Sequence, residues 1–597
     1  ADPDRTAVQW GNDSCYTFGE LKEKTDALAG ILRAEGIGRG DKVAFLTKRT
    51  GLLPVFMFGI LKSGAAYVPI DPEFPGERIL YMLTQAGVRL VLYGQQELVL
   101  GNLPCRELVW DGREAESVLE VPAAEHGAQD AANVIFTSGT TGKPKGVVMC
   151  HKSLSNLLAH LEPLLGGREE KILCASNCVF DVFTTETILA LGKGYAVSVA
   201  DEEEMLLPWK MAERIRRDQV TVLQLTPSRI QMCLGDEAFC GALRGIHRII
   251  LLGEPWSMEL KDRLNGLTDA RIFNIYGPTE TSVHNCQGDI TDEKSIHIGK
   301  PIGNCRYYLL DEERRPVPPT AVGEIYIAGE CLSPGYINRQ DLTDQAFLPD
   351  PFLKGEKMYR TGDRGRLRAD GNWQCLGRVD TQIKLNGHRI EPLEIAQIML
   401  QSGLVKEAAA VPVLHQGAVR FLRAAVVKSE GYTEELLRAY MKKKLPDYMI
   451  PSEIQVLEEL PRTASGKTDL KKLAETEAEV HEAGACVSGI AELWKEVLGR
   501  EPLRDVSFFE QGGTSLQAIL ILNRYHQKEY DFGINDFYRC PTLGEQEKML
   551  CPVPGKERET AVPAQKEALW ELPAVLSDQE ERMCRPGNIF LTGCTGY

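Results

Sequence analysis

The stretch VAFLTKRTGLLPVFMFGILKSGAAYVPIDPEFPGERILYMLTQAGVRLVLYG (43–94) indicates the fold class. It alternates short apolar runs with longer segments of helical pattern. The predicted strands are VAFLT (43–47), AAYVPI (65–70) and RLVLYG (89–94), and the predicted helices are PVFMFGILKSG (54–64) and GERILYMLTQAG (76–87). Strands that alternate with helices of about ten residues or more indicate βαβ crossovers and a parallel sheet. We therefore predict an α/β fold, and we expect the same pattern to continue to about residue 375.

Length and charge narrow the class of protein. At roughly 150 residues per domain, the 597 residues correspond to about four folding units. The chain carries 68 Lys and Arg against 84 Asp and Glu, a formal net charge of -16, which would repel a phosphate backbone. We therefore expect no nucleic acid partner.

The apolar segments are too short to cross a membrane. The longest run in the first half, GLLPVFMFGIL (51–61), falls short of the roughly 18 residues that a membrane helix needs. No secretory signal opens the chain, which starts at Ala1 as an excised piece would. The 16 cysteines lack zinc-finger spacing and are expected to be reduced. We expect a cytoplasmic protein that acts as a monomer and has no membrane partner.

A glycine-rich loop gives the first chemical signal. FTSGTTGKPKG (136–146) follows the strand-like NVIF and exposes backbone N–H groups, hydroxyls and lysines, which suits a polyphosphate. It is not a Walker A loop, because Thr137 stands where that pattern needs Gly and Pro144 follows Lys143. A flexible surface loop is the alternative. The candidate phosphate-binding residues are Thr137, Ser138, Gly139, Thr140, Thr141, Gly142 and Lys145.

Further motifs occur along the chain in a fixed order. They are LKSGAAYVPID (61–71), NIYGPTE (274–280), GEIYIAGECLSPGY (323–336), YRTGD (359–363), GRVDTQIKLNGHRIEPLE (377–394) and PRTASGKTDL (461–470). With the glycine-rich loop they resemble, motif for motif, the adenylation domains of nonribosomal peptide synthetases, which belong to the adenylate-forming superfamily. The resemblance covers about residues 1–475. It implies a large N-terminal α/β domain (1–377) and a small, mobile α+β C-terminal domain (378–475).

The resemblance implies an activity. Members of this family activate a carboxylate with ATP, which gives an acyl adenylate and pyrophosphate, and then transfer the acyl group to a thiol. Negative charge that develops at the α-phosphate needs fixed positive charge, and Lys467 matches the family's catalytic lysine. Asp380 matches the hinge of the small domain, and Lys384 is expected near the reaction centre only in the thioester-forming arrangement.

The resemblance also implies a nucleotide site. Asp363 is expected to accept hydrogen bonds from the ribose hydroxyls, with Arg378 on the ribose side. Tyr276 is expected against the adenine and Asn274 near the base edge, within a motif that also supplies Gly277 and Thr279. Glu280 and Thr140 match the positions that hold Mg²⁺.

The acid that is activated depends on the substrate pocket. Asp181, in NCVFDVFTTE (177–186), matches the aspartate that holds the substrate ammonium, and a buried charge without that partner would cost several kcal/mol. The other pocket positions are Val182, Thr185, Gln224, Ile250, Leu252, Ile275, Val283 and His284. Leu252 and Ile275 make the pocket shallow, so a small amino acid such as Gly, Ala, Ser or Thr is expected. Gln224 and His284 could bind a hydroxyl or merely line the wall.

A second motif, DVSFFEQGGTSLQA (505–518), resembles the thiolation motif of peptidyl carrier proteins. Ser515 is the serine that would receive 4'-phosphopantetheine from a phosphopantetheinyl transferase, although a helix N-cap is the alternative. The resemblance implies a four-helix carrier domain over 487–550, after a linker at 476–486. Tethering raises the effective concentration of the thiol at the neighbouring site.

The C-terminal residues give a weaker signal. After a proline- and charge-rich linker (551–587), residues 588–597 resemble the first strand of a Rossmann unit, with Gly593 and Gly596 placed for a dinucleotide. Carrier-linked enzymes often continue there into an NADPH-dependent reductase. We expect a downstream reductase domain in cis, and a condensation domain upstream is open. Reductase activity is not expected of the present chain.

Two other functions stay open. The chain could be the adenylation and carrier part of a carboxylic acid reductase or α-aminoadipate reductase, or a scaffold without catalysis. The hinge motif departs from the family pattern at Asn386, His388 and Pro392.

Overall fold

The computed structural model describes residues 2–95, 103, 105–112, 124–139, 143–318, 320–385, 388–415, 418–463, 468–475, 489–498, 501–509, 511, 513, 515–528, 530 and 532–550. The described residues form two compact units. One comprises residues 2–398 and 438–449, and the other comprises residues 399–437 and 450–550.

The strands are β1 Thr6–Trp10, β2 Ser14–Thr17, β3 Lys42–Leu46, β4 Ala66–Pro69, β5 Leu90–Tyr93, β6 Arg106–Val109, β7 Ala131–Thr137, β8 Lys145–Cys150, β9 Lys171–Cys174, β10 Ala196–Val199, β11 Val222–Leu225, β12 Arg248–Leu252, β13 Arg271–Tyr276, β14 Cys286–Asp289, β15 Lys300–Pro301, β16 Cys305–Leu310, β17 Gly323–Gly329, β18 Gly335–Tyr336, β19 Phe347–Pro349, β20 Lys357–Leu367, β21 Trp373–Arg378, β22 Ile383–Leu385, β23 His388–Ile390, β24 Val405–His415, β25 Ala418–Lys428 and β26 Glu453–Leu457.

The helices are α1 Phe18–Ala34, α2 Leu52–Ser63, α3 Gly76–Ala86, α4 His151–Ala159, α5 Glu162–Leu165, α6 Val182–Thr184, α7 Ala190–Lys193, α8 Glu202–Leu206, α9 Pro208–Asp218, α10 Pro227–Cys233, α11 Glu237–Ala242, α12 Met258–Asn265, α13 Gln340–Ala346, α14 Pro392–Gln401, α15 Glu434–Lys442, α16 Leu470–Glu475, α17 Gly489–Leu498, α18 Ser515–Gln527, α19 Ile534–Arg539 and α20 Leu543–Leu550. A π-helical turn spans Thr185–Leu189, and 3-10 turns span Leu243–Gly245, Thr279–Thr281 and Asp447–Met449.

The alternating pattern of residues 43–94 folds as predicted. The chain forms β3, α2, β4, α3 and β5 in that order, and β3 pairs in parallel with both β4 and β5. The helix α2 ends at Gly64, whose φ of +103° lies in the left-handed region that favours glycine. The α/β prediction is therefore confirmed.

Two large sheets enclose the main core of the first unit. In the described residues one sheet has the order β18-β8-β7-β4-β3-β5-β6 and the other has the order β15-β14-β13-β12-β11-β9-β10-β1-β2. A single apolar cluster takes side chains from both sheets, among them Phe45, Ile135, Ile250 and Ile275. The candidate site lies at strand ends and loops that this core holds in place.

The pattern does not continue to residue 375, so that part of the prediction is wrong. Between residues 305 and 378, the strands β16, β17, β20 and β21 pair antiparallel. Antiparallel neighbours do not need the crossover helices that parallel strands need. This sheet carries Asp363 and Arg378.

The second unit contains a small sheet and a helical domain. The sheet has the order β24-β25-β26. The helices α17 to α20 pack around Trp494, whose indole N–H lies 3.1 Å from the Tyr525 hydroxyl and 3.2 Å from Gln546 Oε1. None of the helices in the described part of the chain has the length and apolar character needed to cross a membrane.

Candidate active site

The glycine-rich segment lies in the turn of the β7–β8 hairpin, where Thr137 pairs with Lys145. Gly139 has no room for a side chain, because a Cβ there would lie 2.2 Å from the Lys143 backbone oxygen. The Thr137 hydroxyl is buried without a hydrogen-bond partner among the described residues. A buried hydroxyl next to such a loop suits a phosphate oxygen. The candidates Thr140, Thr141 and Gly142 lie outside the described residues.

Glu280 lies at the centre of a buried charge cluster. Lys145 Nζ donates to Glu280 Oε1 at 3.0 Å, and Arg389 donates to Oε2 at 2.8 Å. The Tyr336 hydroxyl lies 2.9 Å from Lys145 Nζ and donates to Glu280 Oε1 at 2.8 Å. We call these four residues the Glu280 cluster. Sequence reasoning missed Arg389 and Tyr336 although both lie in the quoted motifs.

The two cations keep Glu280 ionised. Burial alone would raise the pKa of the Glu280 carboxyl, but the charges of Arg389 and Lys145 outweigh it and hold the pKa well below its ordinary value. An ionised carboxylate is the hard oxygen donor that Mg²⁺ takes together with nucleotide phosphates, so the chemistry of Glu280 fits that metal. Among the described residues no three His, Cys, Asp or Glu side chains form a metal-binding group.

Asp363, on β20, is buried between two donors. The Tyr276 hydroxyl donates to Asp363 Oδ2, and Arg378 donates to Oδ1 at 2.8 Å. Arg378 also holds Asp380 through two hydrogen bonds of 2.6 and 2.7 Å. Asn274 donates to the backbone oxygen of His297 at 2.8 Å. Each Asp363 oxygen retains a lone pair, so the carboxylate fits the ribose hydroxyls of a nucleotide.

The loop after Tyr276 is tightly constrained. A Cβ on Gly277 would lie 2.5 Å from the His284 Cα, so only glycine lets the two ends of the loop approach. Ser282 and Val283 have φ values of +60° and +68°. Such values are strained for residues other than glycine, most of all for a β-branched residue, and strain of this kind concentrates at functional sites.

Asp181 is partly exposed to solvent but closely surrounded by protein. Burial raises the pKa of its carboxyl to about 6, against a hydrogen bond from the Thr279 hydroxyl and the charge of Lys384. Lys384 is therefore close enough to act on this carboxylate. A carboxylate in such surroundings binds a cation strongly.

The other predicted pocket residues share one region of the first unit. Gln224 pairs with Ile250 and Leu252 pairs with Ile275, so all four side chains point from the same face of the sheet. The fully buried members are Thr185, Gln224, Ile250, Ile275, Val283 and His284, and the half-buried members are Val182 and Leu252. The walls are mainly apolar, with three neutral polar side chains among them.

The hinge motif contacts the glycine-rich loop. Ser138 Oγ donates to the Arg389 backbone oxygen at 2.8 Å, and the Gly139 N–H donates to Glu394 at 3.1 Å. Glu394 is also paired with the buried Arg78 at 2.9 Å. A carboxylate thus takes an N–H group that a phosphate oxygen could use. Two of the motif departures fit the fold, because Pro392 is the first residue of α14 and His388 stacks on Tyr448 at 3.9 Å. Asn386 lies outside the described residues.

The carrier motif lies at the start of α18, whose first residue is Ser515. A Cβ on Gly513 would lie 2.3 Å from the Phe508 ring, which explains one glycine of the motif. A helix N-terminus favours an attached phosphate. Lys467 and residues 588–597 lie outside the described residues.

Comparison with known families decides the class of protein. The AMP-binding enzyme family matches residues 1–337, and the AMP-binding enzyme C-terminal domain matches residues 394–467. The chain belongs to the AMP-binding enzyme family. A phosphopantetheine attachment site matches residues 488–550, so this AMP-binding enzyme is joined to a carrier domain.

Curated relatives of this AMP-binding enzyme are peptide synthetases. Bacitracin synthase 3 from Bacillus licheniformis is 34% identical over 569 residues, which are 92% of this chain and 9% of the synthase. A dimodular nonribosomal peptide synthase from Bacillus subtilis is 35% identical over 91% of this chain and 23% of its own length. The chain therefore spans less than a quarter of these relatives.

Solved structures give the same architecture. Holo-PA1221, a nonribosomal peptide synthetase protein with adenylation and carrier domains, has a TM-score of 0.80 and 26% identity over 92% of this chain and 94% of its own. AB3403, a four-domain synthetase bound to AMP and glycine, has a TM-score of 0.58 and 30% identity, and covers 92% of this chain and 42% of its own. The adenylate-forming fold followed by a carrier domain is thereby confirmed.

Proposed function

We propose that the chain adenylates an amino acid with ATP and loads it as a thioester on its own carrier domain, as one module of a nonribosomal peptide synthetase. The observation that carries the proposal is Asp181. Its raised pKa marks a carboxylate that lacks a full counter-charge and that is bonded to Thr279 of the nucleotide motif. A substrate ammonium would supply that charge, whereas an aryl or fatty acid would not.

In the first step, Asp181 holds the ammonium while the substrate carboxylate attacks the α-phosphorus of ATP and the bond to pyrophosphate breaks. The glycine-rich loop binds the departing phosphates, and Asp363 with Arg378 binds the ribose. Lys467 would neutralise charge on the α-phosphate, which is the largest catalytic contribution expected of such a site. Mg²⁺, held by Glu280 and Thr140, would supply further positive charge at the phosphates.

In the second step, the phosphopantetheine thiol on Ser515 attacks the acyl carbon, the thiol proton is released, and AMP leaves. The contacts of the hinge motif support the view that the described arrangement serves this step. Arg389 pairs with Glu280, Glu394 takes the Gly139 N–H, and Lys384 acts on Asp181. The contacts of Arg389 and Glu394 compete with Mg²⁺ and pyrophosphate, so they suit a site from which pyrophosphate has left.

Partners follow from the two steps. A phosphopantetheinyl transferase must modify Ser515, because a serine hydroxyl cannot replace the thiol. A downstream NADPH-dependent reductase domain remains part of the proposal and rests only on the resemblance of residues 588–597.

The test is amino-acid-dependent ATP–pyrophosphate exchange with the standard amino acids, benzoate, a medium-chain fatty acid and α-aminoadipate. We expect exchange with an amino acid, and loss of at least about 100-fold in Lys467→Ala, since that residue acts in the transition state. The matched control is Lys471→Ala, which removes an exposed lysine of the following helix. Exchange only with an acid that lacks an amino group would favour a carboxylic acid reductase, and no ATP binding would favour a scaffold.

Loading is tested separately. The holo protein should accumulate an acid-stable acyl thioester, and Ser515→Ala should abolish it while leaving exchange intact. Loss of exchange in Ser515→Ala would contradict the division into two steps.

A further inference from the structure

Three neutral polar side chains lie among the predicted substrate-pocket residues, most of which are apolar. Thr185, Gln224 and His284 are 0%, 1% and 1% exposed. Thr185 Oγ1, Gln224 Oε1 and His284 Nδ1 each lack a hydrogen-bond partner in the described part of the chain. Burying a polar atom without a partner costs free energy, so each atom calls for a partner within the pocket.

The orientation of the Gln224 amide is fixed by Glu186, which is itself fully buried. Ser176 donates its backbone N–H to Glu186 Oε2 at 3.0 Å and its hydroxyl to Oε1 at 2.6 Å. Gln224 Nε2 donates to the same Oε1 at 3.1 Å. The amide nitrogen therefore faces Glu186, and the atom left without a partner is the oxygen, which can only accept a hydrogen bond.

The tautomer of His284 follows from Gln287. Gln287 Nε2 lies 3.2 Å from the backbone oxygen of His160, which requires a donor, so this atom is the amide nitrogen. The same nitrogen lies 3.1 Å from His284 Nε2, which must then accept. Burial lowers the pKa of His284 to about 3, so the ring is neutral at pH 7 and its hydrogen sits on Nδ1. The unpartnered atom of His284 is a donor.

The strand register brings these groups together. Gln224 shares a sheet face with Leu252 and Ile275, and Ile275 pairs with Gln287, whose amide holds the His284 ring. On the other side, Gln224 is bonded to Glu186, the residue after Thr185. Thr185 begins the π-helical turn, a distortion that is frequent at functional sites. The register and these bonds therefore place an acceptor, a donor and a hydroxyl around one face of the sheet.

Few side chains match both an acceptor and a donor. An alkyl group offers neither, an ammonium cannot accept and a carboxylate cannot donate. A hydroxyl, a primary carboxamide or a neutral imidazole does both. We propose that the pocket selects an amino acid with an uncharged side chain that donates to Gln224 Oε1 and accepts from His284 Nδ1, namely a hydroxyl, a primary carboxamide or a neutral imidazole. The inference rests on the proposed function and names its substrate class.

The experiment is ATP–pyrophosphate exchange of the full chain with isosteric pairs of amino acids, namely Thr with Val, Ser with Ala, and Asn and Gln with Leu and Met, and with His. We expect one hydrogen-bonding member to exceed its apolar isostere in kcat/KM by at least about 100-fold, because the analogue leaves buried polar groups of the site unpaired. Activity with Ser or Thr identifies a hydroxyl, activity with Asn or Gln identifies a carboxamide, and activity with His identifies an imidazole. Equal or greater activity with the apolar members would overturn the inference and leave the proposed function standing. Silence with every acid would overturn the proposed function itself.

Two variants test the residues. Gln224→Leu should lower the polar-to-apolar ratio of kcat/KM by at least about tenfold, because the acceptor becomes an alkyl group. His284→Phe keeps a ring and removes the donor, so it should lower the same ratio, and it serves if Gln224→Leu fails to fold. A ratio that is unchanged in either folded variant would show that the residue only lines the wall.

Discussion

In the Glu280 cluster both carboxylate oxygens receive hydrogen bonds from side chains of the same chain, whereas among the described residues Gln224 Oε1 receives none and His284 Nδ1 donates none. Glu280 is as fully buried as Gln224 and His284, whereas the side chains of Lys145 and Arg389 are 12% and 17% exposed. The Glu280 cluster consists mainly of opposite charges that pair with each other. Gln224 and His284 are neutral, and each keeps one polar atom without a hydrogen-bond partner among the described residues.

The difference concerns what each region is built to hold. Ions cannot be left unpaired in a protein interior, so Arg389 and Lys145 bind Glu280 whenever no metal or phosphate competes. Neutral dipoles cost less to leave unpaired, so a pocket can keep them ready for a substrate. We infer that the ion pairs of the Glu280 cluster stabilise one arrangement of the hinge motif. The unpaired polar atoms of Gln224 and His284 would instead select the substrate side chain.

Removing the central charge of the paired cluster has the largest expected effect. In Glu280→Gln, Arg389 and Lys145 stay buried without their counter-charge, so we expect the free energy of unfolding to fall by about 3–5 kcal/mol. Exchange should fall by at least about 100-fold, because a charged group at the phosphates is lost. Urea denaturation and pyrophosphate exchange measure the two effects.

The exposed Glu312→Gln serves as the control and should change neither quantity. Unchanged stability in Glu280→Gln would mean that the cations find other partners, and the contrast between the two regions would then fail.

Asp181 tests whether binding of the amino acid depends on a negative charge at this position. Its pKa of about 6 is above the ordinary value, so the carboxyl is protonated below that pH and ionised above it. An ammonium needs the ionised form, so kcat/KM for the amino acid should fall about tenfold per pH unit below the pKa. A pH profile of exchange from pH 5 to 8 measures this.

Asp181→Asn should remove that limb of the profile and raise KM about 100-fold, because a buried charge pair is lost. An acid limb that survives in the variant would assign the titration to another group.

Arg389 tests whether the paired cluster holds the arrangement for thioester formation. Arg389→Gln removes the contact with Glu280 Oε2, so we expect loading of the carrier to fall about tenfold, the scale of one charge-assisted hydrogen bond. Exchange should fall less, since that step does not need the contact. Single-turnover loading and exchange give the ratio.

Arg364→Gln, which changes an exposed arginine of β20, is the matched control. Equal losses in loading and exchange for Arg389→Gln would show that the contact supports both steps.

Local pattern explains what the sequence could predict. Residues 43–94 follow it because their apolar runs are short and separated by helices. The local sequence is therefore sufficient to predict the crossover connections. Residues 305–378 break it because β16, β17, β20 and β21 pair antiparallel, which does not require crossover helices. The motifs were sufficient to assign Asp181, Glu280 and Asp363 to the candidate site.

Partners distant along the chain could not be predicted. Lys145 and Glu280 are 135 residues apart, and Arg389 and Glu280 are 109 apart. The two readings of Gln224, hydrogen bonding or lining the wall, could be weighed only after Glu186 had fixed its amide. A motif names the residue types of a site, whereas packing decides which atoms stay free.

The smallest expected effect lies in the loop that joins the two regions. Ser282 has a φ of +60°, is 1% exposed, and its hydroxyl has no partner among the described residues. Ser282→Gly should raise the free energy of unfolding by about 1 kcal/mol, because it relieves a left-handed conformation and removes the unpaired hydroxyl. Ser282→Ala removes only the hydroxyl, so the glycine variant should be the more stable of the two in urea denaturation.

The same pair of variants asks why the strain is kept. Glu280 precedes Ser282 by two residues and His284 follows it by two, so the strained turn sets the distance between the cluster and the pocket. If Ser282→Gly gains stability but loses discrimination between Thr and Val, the strain positions His284 for the substrate. If discrimination is unchanged, the close packing of Gly277 against His284 is sufficient to hold the ring.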